Sequence, residues 1–101
     1  IDSASVTAYT AVAGDVLLIR AATAQVTVTL PASPAMGDEV TIMDASITAV
    51  GFATNQCVVN PNSLKIQRGT GNYNMNTNNQ CIVWYYTNAD MGWQIKSNSV
   101  S

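Results

Sequence analysis

Histidine is absent from this chain of 101 residues, and charged residues make up only 10% of it. An average soluble domain has roughly 25% charged residues. Histidine is the commonest general base and the commonest protein metal ligand, so its absence excludes most catalytic and metal-binding constellations. The sequence therefore predicts no catalytic residue, no metal site and no cofactor.

Basic residues are also too few to build a surface for nucleic acid. The net charge is -2, and the four basic residues are scattered: Arg20, Lys65, Arg68 and Lys96. Nucleic-acid binding requires clustered Lys and Arg side chains that neutralise phosphates. No apolar run approaches the ~18 residues that indicate a membrane helix. We therefore predict neither a nucleic-acid partner nor a membrane partner.

The six acidic residues do not form an obvious catalytic pair: Asp2, Asp15, Asp38, Glu39, Asp44 and Asp90. A pair of carboxylates could act as in a glycosidase. However, Asp15 and Asp38 directly follow glycines, and aspartate at such positions usually caps a turn. Asp44 ends a predicted strand and is the least explained of the six.

The two cysteines, Cys57 and Cys81, supply too few ligands for a structural metal site in a chain without histidine. They could form one disulfide. The simpler interpretation is two free thiols, because an unpaired cysteine packs as a small hydrophobic residue. The sequence leaves the choice between these alternatives open.

Alternation of apolar and polar residues is the dominant pattern. Val26 and Val28 fall on one face of an extended chain, and Thr27 and Thr29 fall on the other. Further strands are predicted at Ser5–Tyr9, Glu39–Asp44, Gln56–Asn60, Leu64–Gln67, Asn74–Thr77 and Trp93–Lys96. Short strands separated by Gly, Pro, Asn and Asp favour an all-β fold, an antiparallel β-sandwich or a barrel-like module.

Two predicted strands are apolar at successive positions, namely Val16–Ile19 and Cys81–Tyr86. This composition suits strands that are covered on both faces, either by another sheet or by a neighbouring subunit. We expect Trp93 to lie on the buried side of the last strand, packed against Cys81–Tyr86 through a hairpin that includes Gly92.

Glycine, aspartate and proline mark the predicted turns. "VAGDVLLI" and "AMGDEVTI" both place Gly-Asp immediately before a strand, and glycine readily adopts the positive φ of a turn. Pro31 and Pro34 cannot donate to a sheet, so the chain should turn a corner between Leu30 and Gly37. The residues assigned to structural turns and core are Pro31, Pro34, Gly37, Asp38, Gly92 and Trp93.

The segment "RGTGNYN" indicates a glycine-rich hairpin turn, since it lacks the remaining residues of a phosphate-binding loop. Alternating amides follow it. We identify Tyr73, Asn74 and Asn76 as candidate surface contacts, because aromatic and amide side chains together bind sugar hydroxyls well. A solvated polar face explains the same residues, and both interpretations stay open.

Four stretches together resemble a known family. They are "YTAVAGDVLLI" (Tyr9–Ile19), "TVTLPASPAMGDEVTIMD" (Thr27–Asp44), "ATNQCVVNPNSLKI" (Ala53–Ile66) and "IVWYYTNADMGWQI" (Ile82–Ile95). The family is a small β-structured module of tailed-bacteriophage virions, found in tail fibres, head fibres and capsid decoration proteins. The chain departs from it in having Asn-Ser rather than Asn-Gly before the Lys-Ile pair, and in having cysteines.

This resemblance implies a non-enzymatic homotrimer on the exterior of a phage particle, in contact with other virion proteins of the capsid or the tail. A capsid decoration or head-fibre protein is the first interpretation. The alternative is a tail-fibre tip that binds host surface carbohydrate. We expect residues 1–101 to form a single β domain, with residues 1–8 as an extended N-terminal arm or a linker to an upstream segment.

Overall fold

The structure, a computed structural model, describes residue 1, residues 5–46 and residues 50–100. These residues form eight strands and no helix, so the all-β prediction is confirmed. The strands are β1 (Ala8–Thr10), β2 (Val16–Ile19), β3 (Val26–Thr29), β4 (Glu39–Asp44), β5 (Cys57–Asn60), β6 (Tyr73–Met75), β7 (Gln80–Asn88) and β8 (Gly92–Val100).

The strands form two four-stranded sheets. The first sheet has the order β1-β3-β5-β6, and the second has the order β2-β4-β7-β8. From β1 to β5 the chain changes sheet at every strand. β1, β3 and β5 pair in parallel, as do β2 and β4. This part of the chain is therefore a parallel winding, in which each turn adds one strand to each sheet.

The prediction of antiparallel sheets was wrong for the winding. Only the pairs β4–β7, β5–β6 and β7–β8 are antiparallel. Parallel neighbours need a crossover connection, and here a strand of the opposite sheet lies within each crossover. Short strands between turn residues look the same in a hairpin and in such a winding, so the local pattern could not distinguish them.

Ile1 continues the winding at the edge of β2. Its ammonium group donates a hydrogen bond of 2.6 Å to the Leu18 carbonyl. Its own carbonyl accepts a bond of 2.7 Å from the Arg20 N–H. These two bonds are the pattern of a parallel bridge opposite Ile19, and Ile1 packs against the core. Residues 2–4 of the predicted N-terminal arm, including the acidic residue Asp2, lie outside the described residues.

The two sheets share one hydrophobic core. Inward-facing residues of β3 and β4 are buried and alternate with half-buried ones. Trp84 and Trp93 are the largest fully buried side chains. Trp84 meets the edge of Tyr73 with ring centroids 5.1 Å apart, and Trp93 meets Tyr86 at 5.5 Å. The aromatic pair of Trp84 and Tyr73 joins the second sheet to the first.

The predicted strand at Leu64–Gln67 was wrong. The chain reverses there, because Ile66 and Gly69 exchange two backbone hydrogen bonds of 2.8 and 2.9 Å. The two residues between them, Gln67 and Arg68, have φ values of 50° and 69°. These are the dihedral angles of a two-residue type I′ hairpin. Apolar alternation before the turn suggested a strand, and the usual Asn-Gly signal of this turn is absent.

Gly92 lies where this hairpin packs against the start of β8. Its φ is 73°, and a Cβ at this position would overlap the Lys65 backbone. The close approach allows the Trp93 N–H to donate to the Lys65 carbonyl at 2.7 Å. The Gln67 N–H in turn donates to the Trp93 carbonyl at 2.8 Å. Only glycine satisfies both the space and the dihedral angle here.

Three glycine-to-alanine variants should therefore differ in stability. A Cβ at Gly71 would meet open space, and the φ of Gly71 is not positive. Gly71→Ala should therefore change the free energy of unfolding by no more than about 1 kcal/mol. A Cβ at Gly37 would also meet open space, but the φ of Gly37 is 90°. Gly37→Ala should therefore lower the free energy of unfolding by about 1–2 kcal/mol. Gly92→Ala should cost most, because it adds a backbone overlap to the strain. Urea unfolding measures the three values, and equal losses for Gly92→Ala and Gly71→Ala would contradict this account.

Candidate functional site

The part of the chain that the structure describes contains no detectable cavity. It also contains no group of three or more Cys, Asp or Glu side chains placed to hold a metal ion. No helix there is long and apolar enough to cross a bilayer. What each candidate residue can do therefore depends on its own contacts and exposure.

The two Gly-Asp segments form turns of the same geometry. In the first, the Val12 N–H donates to the Asp15 carboxylate at 2.8 Å, and Gly14 has a φ of 91°. In the second, Ala35–Asp38, the equivalent bond is also 2.8 Å and the glycine φ is 90°. Each aspartate thus caps the turn that starts its strand.

Each of these turns is also attached to the next strand of the second sheet. The Gly14 N–H donates to the Glu39 carbonyl at 2.7 Å, and the Gly37 N–H donates to the Tyr86 carbonyl at 2.8 Å. Pro31 and Pro34 lie half-buried in the connection that leads from β3 to the second turn. The Leu-Pro-x-x-Pro-x-x-Gly-Asp element is therefore a corner between the two sheets.

Asp44 has the most elaborate surroundings of the acids. Its side chain is almost completely buried at the end of β4. The carboxylate accepts hydrogen bonds from the Ser46 hydroxyl at 2.7 Å and from the Ser46 N–H at 3.1 Å. It also accepts from the N–H groups of Phe52 at 3.2 Å and Asn79 at 3.0 Å. One buried carboxylate thereby holds segments that are far apart in the sequence.

These contacts determine the charge state of Asp44. Burial by itself would raise the pKa of the carboxyl group, but the hydrogen bonds from Ser46, Asn79 and Phe52 outweigh it, and the pKa is lowered. Hydrogen bonds donated to a carboxylate stabilise its ionised form. Asp44 is therefore an anion that organises loops, and no other acid contacts it among the interactions of the described residues.

Gly51 and Asn78 complete the surroundings of Asp44. A Cβ at Gly51 would lie 2.6 Å from an Asp44 oxygen and 2.6 Å from the Asn78 amide oxygen. Asn78 accepts a hydrogen bond of 3.0 Å from the Ala53 N–H. Sequence analysis missed this network, because its members are separated by up to 35 residues. The Asp-x-Ser spacing of residues 44–46 was the one local signal for it.

The two cysteines are free, and they lie on different sheets. Cys57 is fully buried on β5. Burial, with a smaller contribution from the Asp44 charge, raises the pKa of its thiol to about 12. Cys81 is half-buried on β7, opposite Met43 of β4. A thiol with the pKa of Cys57 has almost no thiolate near neutral pH and is a poor nucleophile.

The candidate surface contacts are not all on one face. Asn74 and Asn76 are exposed, whereas Tyr73 is half-buried with its ring against Trp84. Successive side chains of a strand point to opposite faces, so the Tyr73 ring and the Asn74 amide point apart. The amides alone form the accessible part of this candidate surface.

Comparison with known proteins adds no assignment: no family model matches the chain, and no curated protein matches it significantly.

Asp44→Asn should weaken the fold at neutral pH by about 1–3 kcal/mol, because an amide nitrogen then faces backbone donors. Since the folded-state pKa is lowered, the stability from Asp44 is complete above the unfolded value, near 4, and is lost as the pH falls through the folded value. Urea unfolding at several pH values should show a shallower acid loss for the variant than for the native chain.

Asp90→Asn is the matched control for this experiment. Asp90 forms an ion pair of 2.6 Å with Arg68, and both side chains are largely exposed. Such pairs contribute about 0–1 kcal/mol. Equal losses of stability for Asp90→Asn and Asp44→Asn would contradict the conclusion that the buried Asp44 carboxylate stabilises the fold through its hydrogen bonds.

Cys81 should react with a maleimide in the native protein much faster than Cys57. The physical reason is that Cys57 is inaccessible and its thiol pKa is about 12. Mass spectrometry of peptides after brief labelling near neutral pH measures the two modifications. Complete denaturation should make both thiols reactive, and a native protein labelled first at Cys57 would contradict the structure.

Proposed function

We propose that this chain is a non-enzymatic, homotrimeric module on the exterior of a tailed-bacteriophage virion, in a capsid decoration or head-fibre protein. One observation carries the proposal. The two stretches with the most specific resemblance, Thr27–Asp44 and Ile82–Ile95, contain neighbouring strands of the second sheet. β4 pairs with β7 from Glu39 opposite Tyr85 to Met43 opposite Cys81. The resemblance therefore rests on one connected structural unit.

The roles of the acidic residues support a structural rather than a catalytic function. Asp15 and Asp38 cap turns, Asp44 anchors loops, and Asp90 pairs with Arg68. Glu39 pairs with Lys96 at 2.7 Å. Each described carboxylate thus has a contact that accounts for its presence. Carboxylates that fix turns and loops are what a module for assembly requires, and such a module requires no reactive carboxylate.

The outer face of the second sheet supports a homo-oligomer. Leu17 and Ile19 of β2 point into the core, while Val16 and Leu18 point outward and are more than half exposed. Val83 continues this outer face on β7 and is half-buried. Large exposed apolar surfaces mark interaction sites, and most soluble oligomers are symmetric assemblies of identical chains.

The tail-fibre tip is the second candidate, and the exposed amides of Asn74 and Asn76 favour it. They could bind the hydroxyl groups of a host surface glycan. Trp93 cannot be a stacking platform for a sugar, because it is fully buried. A glycan site on this protein would therefore depend on amides with little aromatic contact.

The assembled mass tests the proposal directly. At micromolar concentration, light scattering should give about three times the chain mass of 10.7 kDa, since a trimer buries the outward apolar side chains. A monomer at every accessible concentration would contradict the homotrimer. Immunogold electron microscopy of particles of a phage whose genome encodes this chain should then place it on the head, and absence of label from the particles would contradict the virion assignment.

The same microscopy separates the two candidates. Label at the tips of tail fibres would support the second one, as would binding of the protein to host envelope polysaccharide. In that case, replacing both Asn74 and Asn76 by alanine should abolish the binding and leave the trimer mass unchanged. Asn72→Ala, at an exposed residue outside the candidate contacts, is the control.

A further inference from the structure

Residues with a left-handed backbone are concentrated in one short segment. Five described residues other than glycine have a positive φ, and four of them lie within residues 62–68: Asn62, Ser63, Gln67 and Arg68. A residue with a Cβ adopts this backbone at a cost, and asparagine tolerates it better than most other types. Serine, glutamine and arginine at such positions therefore need an explanation.

The side chains of Gln67 and Arg68 contribute little to the fold. Both are exposed, and the Gln67 side chain forms no hydrogen bond with a described residue. Arg68 pairs with Asp90, but their side chains are 62% and 75% exposed, and exposed ion pairs add little stability. The usual residues of this turn are Asn-Gly. The chain thus keeps two long polar side chains at strained positions, and such strain is typical of functional sites.

A second turn holds this hairpin in place. The Arg68 N–H donates to the Met91 carbonyl at 2.9 Å, in addition to the two backbone bonds that Trp93 makes with the same hairpin. The Asn88 side-chain oxygen fixes the second turn by accepting from the N–H groups of Asp90 at 3.0 Å and Met91 at 2.8 Å. A site on a fixed backbone loses less conformational freedom when it binds a ligand.

Positive charge predominates where the two turns meet. We call their polar residues the two-turn surface: Lys65, Gln67, Arg68, Asn88 and Asp90. Two cations and one carboxylate give this surface a net charge of +1, whereas the whole chain carries -2. Lys96 pairs with Glu39, but Lys65 has no ion pair with a described residue. The surface lies at the start of β8, across the second sheet from Ile1 beside β2.

We infer that the two-turn surface binds an acidic polysaccharide, with Lys65 and Arg68 holding its carboxylate or phosphate groups. A guanidinium group has five N–H donors, and Asp90 contacts only one nitrogen of Arg68. The other donors are free for the paired hydrogen bonds that arginine forms with carboxylates and phosphates. This inference goes beyond the proposed function and does not depend on the homotrimer.

The amides of the two-turn surface favour a sugar polymer over other polyanions. Gln67 and Asn88 are exposed beside the charged residues. The Asn88 oxygen is used within its turn, which leaves its NH₂ group to donate to a ligand. Amide groups bind sugar hydroxyls, whereas nucleic acid requires many clustered cations. A polysaccharide with acidic groups supplies both the hydroxyls and the anions that this surface fits.

Titration calorimetry with soluble polymers tests the inference. Polygalacturonate and phosphomannan distinguish a carboxylate from a phosphate ligand, and unphosphorylated mannan is the neutral control. We expect binding to at least one acidic polymer, weakened by added salt, and none to mannan. Lys65→Gln combined with Arg68→Gln should weaken the binding at least about tenfold.

Three results would overturn the inference. They are no binding to either acidic polymer, equal binding to mannan, and undiminished binding by the variant that lacks both charges. Polyglutamate is the remaining probe, because it carries carboxylates without sugar hydroxyls. Binding to polyglutamate as tight as to the acidic polysaccharides would overturn the choice of a sugar polymer.

Gln67→Asn combined with Arg68→Gly separates binding from folding. It introduces the usual Asn-Gly pair of the turn, so the urea midpoint should rise while binding to the acidic polymer falls at least about tenfold. Ser63→Gly is the matched control, because Ser63 has a φ of 67° in the neighbouring turn and lies outside the two-turn surface. It should raise the midpoint and leave binding unchanged. Full binding by the Asn-Gly variant, an unchanged midpoint for it, or lost binding in Ser63→Gly would each overturn the inference.

Discussion

Burial of Trp84 and Trp93 between the two sheets is the interaction on which the rest of the fold depends. Both side chains are fully buried, and both indole N–H groups lack a partner among the described residues. Losing a buried tryptophan typically costs about 3–5 kcal/mol, comparable to the whole stability of a small domain. The Lys65 carbonyl and Gly92 hold the backbone at Trp93. The strained hairpin at residues 66–69 is thereby tied to the core.

Sequence alternation predicted which residues form strands better than it predicted which strands are neighbours. β4 matches the predicted bounds at both ends, because its alternation of apolar and polar residues is a local property. β2 also matches its predicted bounds, although all four of its residues are apolar and only alternate ones are buried. The direction of pairing is not local. Val26 lies beside Cys57 in a parallel pair, and nothing in either segment specifies that partner. The pairing partner of β3 depends on the whole connection between β3 and β5, which passes through β4 of the other sheet.

The same distinction applies to the candidate site. Capping by Asp15 and Asp38 could be predicted, since the glycine before each aspartate and the capped N–H lie in the same turn. The environment of Asp44 could not, because Asn79 reaches it from 35 residues away. The reversal at Gln67 and Arg68 was also hidden, since neither residue type favours a positive φ. In each case, contacts made by the folded chain override local preference.

The parallel winding also determines the order in which the protein can fold. Paired residues are separated by 19 positions between Ala8 and Thr27, by 25 between Val16 and Thr41, and by 31 between Val26 and Cys57. The entropy of closing a loop rises with its length, so the earliest turn closes at the lowest cost. Trp84 and Trp93, however, follow all of the parallel strands in the sequence and so leave the ribosome after them. The nascent chain must keep its apolar strands from pairing elsewhere until the aromatic rings that lock them arrive.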